Sequence, residues 1–178
     1  MFEIPVKQQV KLIKASTPME NHGKDFVLAV VLTVEAAISS TSLRQFDSAL
    51  CDSLYRAAEQ DEDSGDLITE PTGPTVRRFP KMSAFDWEYE GTGYELTVDY
   101  GLGGESDIEL VDAKVNSFTI TPLEGGTVTV KFNVVVHPEA LDVGRLCEMQ
   151  KRNIDITLMA PPPENVQQLF GDDDKLAA

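Results

Sequence analysis

Two strictly alternating apolar stretches, set 102 positions apart, constrain this chain more than any motif in it. Phe26, Leu28, Val30, Leu32 and Val34 share one phase of the first stretch, and Val128, Val130, Phe132, Val134 and Val136 share one phase of the second. Alternation with period two specifies a strand with one buried face, because successive side chains of extended backbone point to opposite sides. Each stretch follows an extended segment and a proline-containing turn, at residues 14–23 and 119–126. Each leads into a predicted helix with a Leu-Cys pair, Leu50 with Cys51 and Leu146 with Cys147. Residues 9–57 and 109–152 therefore read as two copies of one unit, and a duplicated supersecondary unit predicts a pseudo-symmetric sheet with two similar helices.

The remaining segments fill in that plan. Residues 6–18 and 24–36 form a hairpin about a turn at 20–23. A helix follows over 42–58, with Leu43, Phe46, Leu50 and Leu54 on one face. Phe85, Trp87 and Tyr89 alternate, as do Tyr94, Leu96, Val98 and Tyr100, and Gly91, Thr92 and Gly93 between them predict a second hairpin. The strand at 108–121 changes inward phase between Val115 and Phe118, which places a bulge at Asn116 and Ser117. A strand at 127–137, a helix at 139–151 weakened by Gly144, and a strand at 153–159 complete the order. The expected fold class is α+β: a pseudo-twofold repeat of about seven mainly antiparallel strands in one or two sheets, with two helices packed on one face. Residues 1–160 make one domain, 59–80 a flexible acidic loop, and 161–178 a disordered acidic tail, of which 175–178 resemble a tag remnant.

A formal charge of −15 on 178 residues disfavours loose association with nucleic acid or anionic membrane unless the basic side chains are segregated. Two cysteines far apart on apolar helix faces read as small buried residues and not as a cross-link. No window approaches a membrane span and no secretory leader is evident, so a cytoplasmic protein without a membrane partner is expected, in the host cytoplasm if the source is viral.

The sequence offers no catalytic constellation. Gly101, Leu102, Gly103 and Gly104 join two strands and open no helix, which argues against a phosphate loop. Residues 61–66 look like the start of a calcium loop, but glycine comes one place early and Thr72 stands where a bidentate Glu is needed. His22 and His137 have no Cys or His at ligand spacing. We expect no enzyme activity, no metal and no cofactor.

Binding features are clearer. The predicted helices and their exits carry Arg44, Arg56, Arg145, Lys151 and Arg152, a candidate positive lining for nucleic acid. Arg77, Arg78 and Lys81 precede the aromatic positions 85–100, a combination that single-strand binders use, although regular alternation assigns those rings to a core face. From residue 24 the order β-α-β-β-β then β-α-β resembles the doubled β-α-β-β-β domain of DNA sliding clamps, over about residues 9–160 and on topology alone. That resemblance implies a homo-oligomeric ring in which the same five cations face DNA; clamp rings hold six such domains, so a one-domain chain departs from their usual subunit number. The chain is also similar in general style to small acidic proteins of bacteriophage replication modules, especially across residues 137–147. Residues 166–170 are similar to the Gln-x-x-Leu-Phe peptide that docks on bacterial clamps, with Val166 where Gln is expected; Gln167, Leu169 and Phe170 would recruit a partner. The leading expectation is a non-enzymatic DNA-metabolism accessory protein that binds DNA or a DNA-metabolism protein. The alternatives are an acidic DNA mimic that inhibits a DNA-binding enzyme, a single-stranded DNA-binding protein, and a virion or tail component.

Overall fold

A computed structural model describes residues 1–22, 25–58, 73–101 and 106–162 of the chain. Its strands are β1 (Ile4–Ser16), β2 (Met19–His22), β3 (Asp25–Leu28), β4 (Val30–Ser39), β5 (Tyr55–Arg56), β6 (Val76–Arg77), β7 (Phe85–Trp87), β8 (Gly91–Val98), β9 (Ile108–Pro122), β10 (Thr127–Val136) and β11 (Asn153–Met159). A 3-10 helix (Ser40–Gln45) and α1 (Leu50–Leu54) follow β4, and α2 (Ala140–Glu148) follows β10. The seven strands read from the sequence are those of the main sheet.

The two alternating stretches become hydrogen-bonded neighbours. β4 and β10 pair antiparallel in unbroken register, from Ser39 opposite Thr127 to Val30 opposite Val136. Their inward residues Val30, Leu32, Val34, Val128, Val130, Phe132, Val134 and Val136 are at most 1% exposed. Leu28, assigned to the same inward set, is instead exposed. The chain breaks at buried Ala29, whose N–H donates to the Pro18 carbonyl, and β2 and β3 pair with each other outside the sheet. The side chain of Phe26 lies outside the described residues.

The sheet closes on itself. β4 pairs with β1, β1 with β11, β11 with β8, β8 with β9, and β9 with β10, every pair antiparallel. The circle β1-β4-β10-β9-β8-β11 is a six-stranded barrel, and its interior is filled by apolar side chains, as a barrel of this size requires. The bulge read at Asn116 and Ser117 is present: Lys131 faces Thr119 but Asn133 faces Asn116, and Ser117 takes φ 58°. The second hairpin is not. Phe85–Trp87 and Gly91–Val98 both run antiparallel to β9 in one direction, as a single interrupted strand. Gly91 does not turn the chain; a Cβ there would lie 2.6 Å from the Tyr94 ring, so its glycine makes room for that buried side chain.

The helices also depart from expectation. Because β4 and β10 are antiparallel, the chain leaves them at opposite ends of the barrel, so the helical segments cap opposite ends and do not share one face. The predicted 42–58 helix is split, since the Asp47 carboxylate accepts the Ala49 N–H at 2.8 Å and ends the first segment before α1 starts. Its apolar face is nonetheless spent as read, burying Leu43, Cys51 and Leu54. At this end the Phe2 ring stacks on Phe46 at 5.0 Å and meets Phe118 and Phe132 edge-on. The Tyr55 hydroxyl accepts the Leu123 N–H at 2.9 Å and lies 2.9 Å from the Leu123 and Thr127 carbonyls, fastening the β9–β10 turn to α1. At the other end α2 buries Leu146, with Met149 just beyond it. No helix among the described residues is long and apolar enough to cross a membrane.

Candidate nucleic-acid interface

With the inward phase of each strand fixed by the core, the outward phase decides what the surface can bind. β1 carries Lys7, Lys11 and Lys14 and no carboxylate. Lys11 and Lys14 are three residues apart yet both exposed, because the β1–β4 register slips between Leu12 and Lys14. Lys11 lies opposite Glu35 of β4, and Glu35 lies opposite Lys131 of β10. With strands about 4.8 Å apart, Lys11 and Lys131 are separated by roughly 10 Å across that single carboxylate.

The exit from α2 reaches the same wall. The Lys151 N–H donates to the Leu12 carbonyl at 2.7 Å, and the Leu12 N–H donates to the Arg152 carbonyl at 3.0 Å. Lys151 holds φ 63° in that docked turn. Lys11, Lys14, Lys131, Lys151 and Arg152 are all exposed, but the Arg152 side chain lines a separate cavity with Asp99, Glu148 and Asp155, which leaves Lys151 beside the strand lysines. None is in an ion pair among the described residues. Asp155, opposite Gln9, borders the group. Gln9, Lys11, Glu35, Thr129 and Asn153 line a shallow groove of about 270 Å³ on this wall, and nearby the Thr33 hydroxyl donates to the Asn133 side-chain oxygen at 2.9 Å.

The five cations expected to form one lining are divided by the helix placement. Arg44 and Arg56 belong to the end where β4 exits. There Arg44 reaches Asp52 at 3.1 Å, and Arg56 is half-buried in the β5–β6 ribbon. Arg145 at the other end is already engaged, 3.1 Å from Asp142 and with its guanidinium 5.2 Å from the centre of the Tyr100 ring. Lys151 alone of the five stays beside the strand lysines, and Arg152 turns to the cavity of Asp99, Glu148 and Asp155. Lys11, Lys14 and Lys131 were missed because each is solitary in sequence; the signal was a strand with three lysines and no acid.

The basic stretch before β7 holds loops together. Arg77 donates to the Pro122 carbonyl at 2.8 Å and to that of Pro80, and sits 3.0 Å from Glu124. The Arg78 Nε donates to the Asp52 carbonyl at 2.8 Å. The aromatic residues after it pack on the core, as alternation implied. The tail residues Gln167, Leu169 and Phe170, and most of the acidic loop, lie outside the described residues.

The far side of the barrel has the opposite charge. In the six-strand circle β9 stands across from β1 and β8 across from β4. Their outward residues Glu95, Glu109 and Asp112 are exposed, with Asp86, Glu88 and Glu90 just beyond. Between the two walls Lys7 donates to Asp99; that hydrogen bond raises the Lys7 pKa and lowers that of Asp99. No cluster of three or more His, Cys, Asp or Glu among the described residues is placed to hold a metal ion. Burial raises the pKa of the Cys51 thiol, which makes it a poor nucleophile. His137 Nε2 lies 3.2 Å from Glu20. No protein-family model, curated protein or solved structure matches this chain.

Proposed function

We propose that this chain is a non-enzymatic accessory protein of DNA metabolism that contacts the phosphate backbone through Lys11, Lys14, Lys131 and Lys151. One observation carries the reading: in a chain of net charge −15, four exposed lysines from three separate segments lie along one wall without ion-pair partners among the described residues. Segregated cations give an acidic protein a phosphate-binding face despite its net charge. Gln9, Thr129, Asn133 and Asn153 supply hydrogen-bonding side chains around them. A strand wall takes the role here that the clamp resemblance gives to helices.

The pseudo-twofold reading belongs to the same proposal. Exchanging β1 with β9, β4 with β10, the segment 40–54 with α2, and β8 with β11 leaves the set of barrel pairings unchanged. That invariance supports an ancestral β-β-α-β unit, doubled and closed.

The test is the salt dependence of binding to a short fluorescein-labelled DNA duplex, read by anisotropy. Each phosphate neutralised contributes about −0.9 to the slope of log K against log salt, so four contacts give roughly −3.6. Lys11→Gln/Lys14→Gln/Lys131→Gln should flatten the slope by about three units, one for each cation removed. Glu109→Gln/Asp112→Asn on the far wall should leave it steep. An unchanged slope in the triple variant, or no binding at the lowest salt, overturns the reading.

A further inference from the structure

β7 is where the closed barrel leaves an edge. β9 outruns its pairing with β8, and Phe118, Thr119 and Ile120 pair instead with Trp87, Asp86 and Phe85. No strand among the described residues covers the other side of β7, because the β11–β8 ladder stops at Met159 opposite Glu95. Such an edge presents unpaired backbone donors and acceptors, a template for one more strand.

A cleft adjoins that edge. Glu88, Tyr89 and Glu90 belong to no ladder, and the Asn116–Ser117 bulge faces them. The gap opens about 790 Å³ and is lined by Trp87, Tyr89 and Phe118, which also pack on the core, and by Asp86, Glu88 and Glu90. Asp86 accepts the Thr119 hydroxyl at 2.8 Å and Glu90 meets Lys114 at 2.7 Å, while Glu88 has no ion-pair partner among the described residues.

We propose that this edge and cleft dock an extended cationic segment of another protein, which adds as a strand to Phe85–Trp87. Side chains of an added strand alternate, so every second one points toward the cleft. A Lys or Arg there gains the carboxylate rim and the faces of Trp87 and Tyr89, which attract cations. Nucleic acid is repelled by the rim. A second copy, itself at −15, is a poor occupant. The site lies away from the lysine wall and stands without the DNA reading.

Trp87 is the one tryptophan of the chain, so the native protein carries its own reporter in the cleft. A peptide of alternating lysine and valine, titrated into the full chain, is expected to shift Trp87 emission; an alternating glutamate and valine peptide is not. Glu88→Gln/Glu90→Gln should weaken binding roughly tenfold, whereas Glu109→Gln/Asp112→Asn should leave it unchanged. Unchanged emission at saturation, equal weakening by both pairs of substitutions, or the same shift with a DNA oligonucleotide overturns the proposal.

Discussion

The β1–β4–β10 wall and the β8–β9 wall enclose the same core but present opposite charge. The first exposes Lys11, Lys14 and Lys131 among Thr, Asn and Gln, with Glu35 between; the second exposes Glu95, Glu109 and Asp112, with Glu90 at its border. On the acidic wall Lys114 is neutralised by Glu90, while Lys11, Lys14 and Lys131 have no such partner among the described residues. In a closed barrel the core fixes one phase of every strand and leaves the other free, so each wall can carry its own sign. A net charge of −15 conceals that division.

The largest expected effect is on what the walls share. Phe132 is fully buried and packs against Phe2 and Phe118, so Phe132→Ala should cost about 3–5 kcal/mol in denaturant unfolding. A loss below about 1 kcal/mol would break the common core and with it the comparison.

Alkaline pH attacks the same interior. Burial is the largest cause raising the Tyr55 and Tyr94 phenols above the ordinary 10.0; for Tyr94 the hydrogen bond with Tyr89 comes next. A folded-state pKa above the unfolded one contributes stability that is full below the unfolded value and is lost as pH rises through the folded one. Stability should therefore fall above about pH 10, with Tyr55 and Tyr94 ionising together with unfolding when followed by phenolate absorbance. Titration of all four tyrosines before unfolding would refute that burial.

Smaller effects distinguish the outer faces. Asn133→Ala removes the bond from Thr33, and Thr119→Val the bond to Asp86; each should cost only about 0.5–1.5 kcal/mol in the same unfolding assay. Arg145→Gln should leave the salt slope of DNA binding unaltered, since that guanidinium is held by Asp142 and Tyr100. A flattened slope would extend the lysine wall onto α2.

Local pattern revealed the strands because alternation is a local consequence of a half-buried sheet. It revealed the β9 bulge too, since one extra residue shifts the inward phase between Val115 and Phe118. The break in the first helix was hidden: Leu43, Phe46, Leu50 and Leu54 keep a helical spacing across Asp47, and only the geometry shows its carboxylate holding Ala49. Gly91 looked like a turn residue because its reason, the ring of Tyr94, is a packing contact. Closure rests on the β1–β11 and β8–β11 pairings, between segments far apart in the chain. Neither leaves a mark on the flanking sequence, so the lysine wall, assembled by register, was legible only as a strand without acids.

The division of charge between walls is tested most directly by mapping backbone amide shifts in NMR spectra while a short DNA duplex is added at low salt. Perturbations should cluster at Lys11, Lys14, Lys131 and Lys151 and spare Glu95, Glu109 and Asp112. Perturbations centred on the acidic wall, or none on either, would contradict the account.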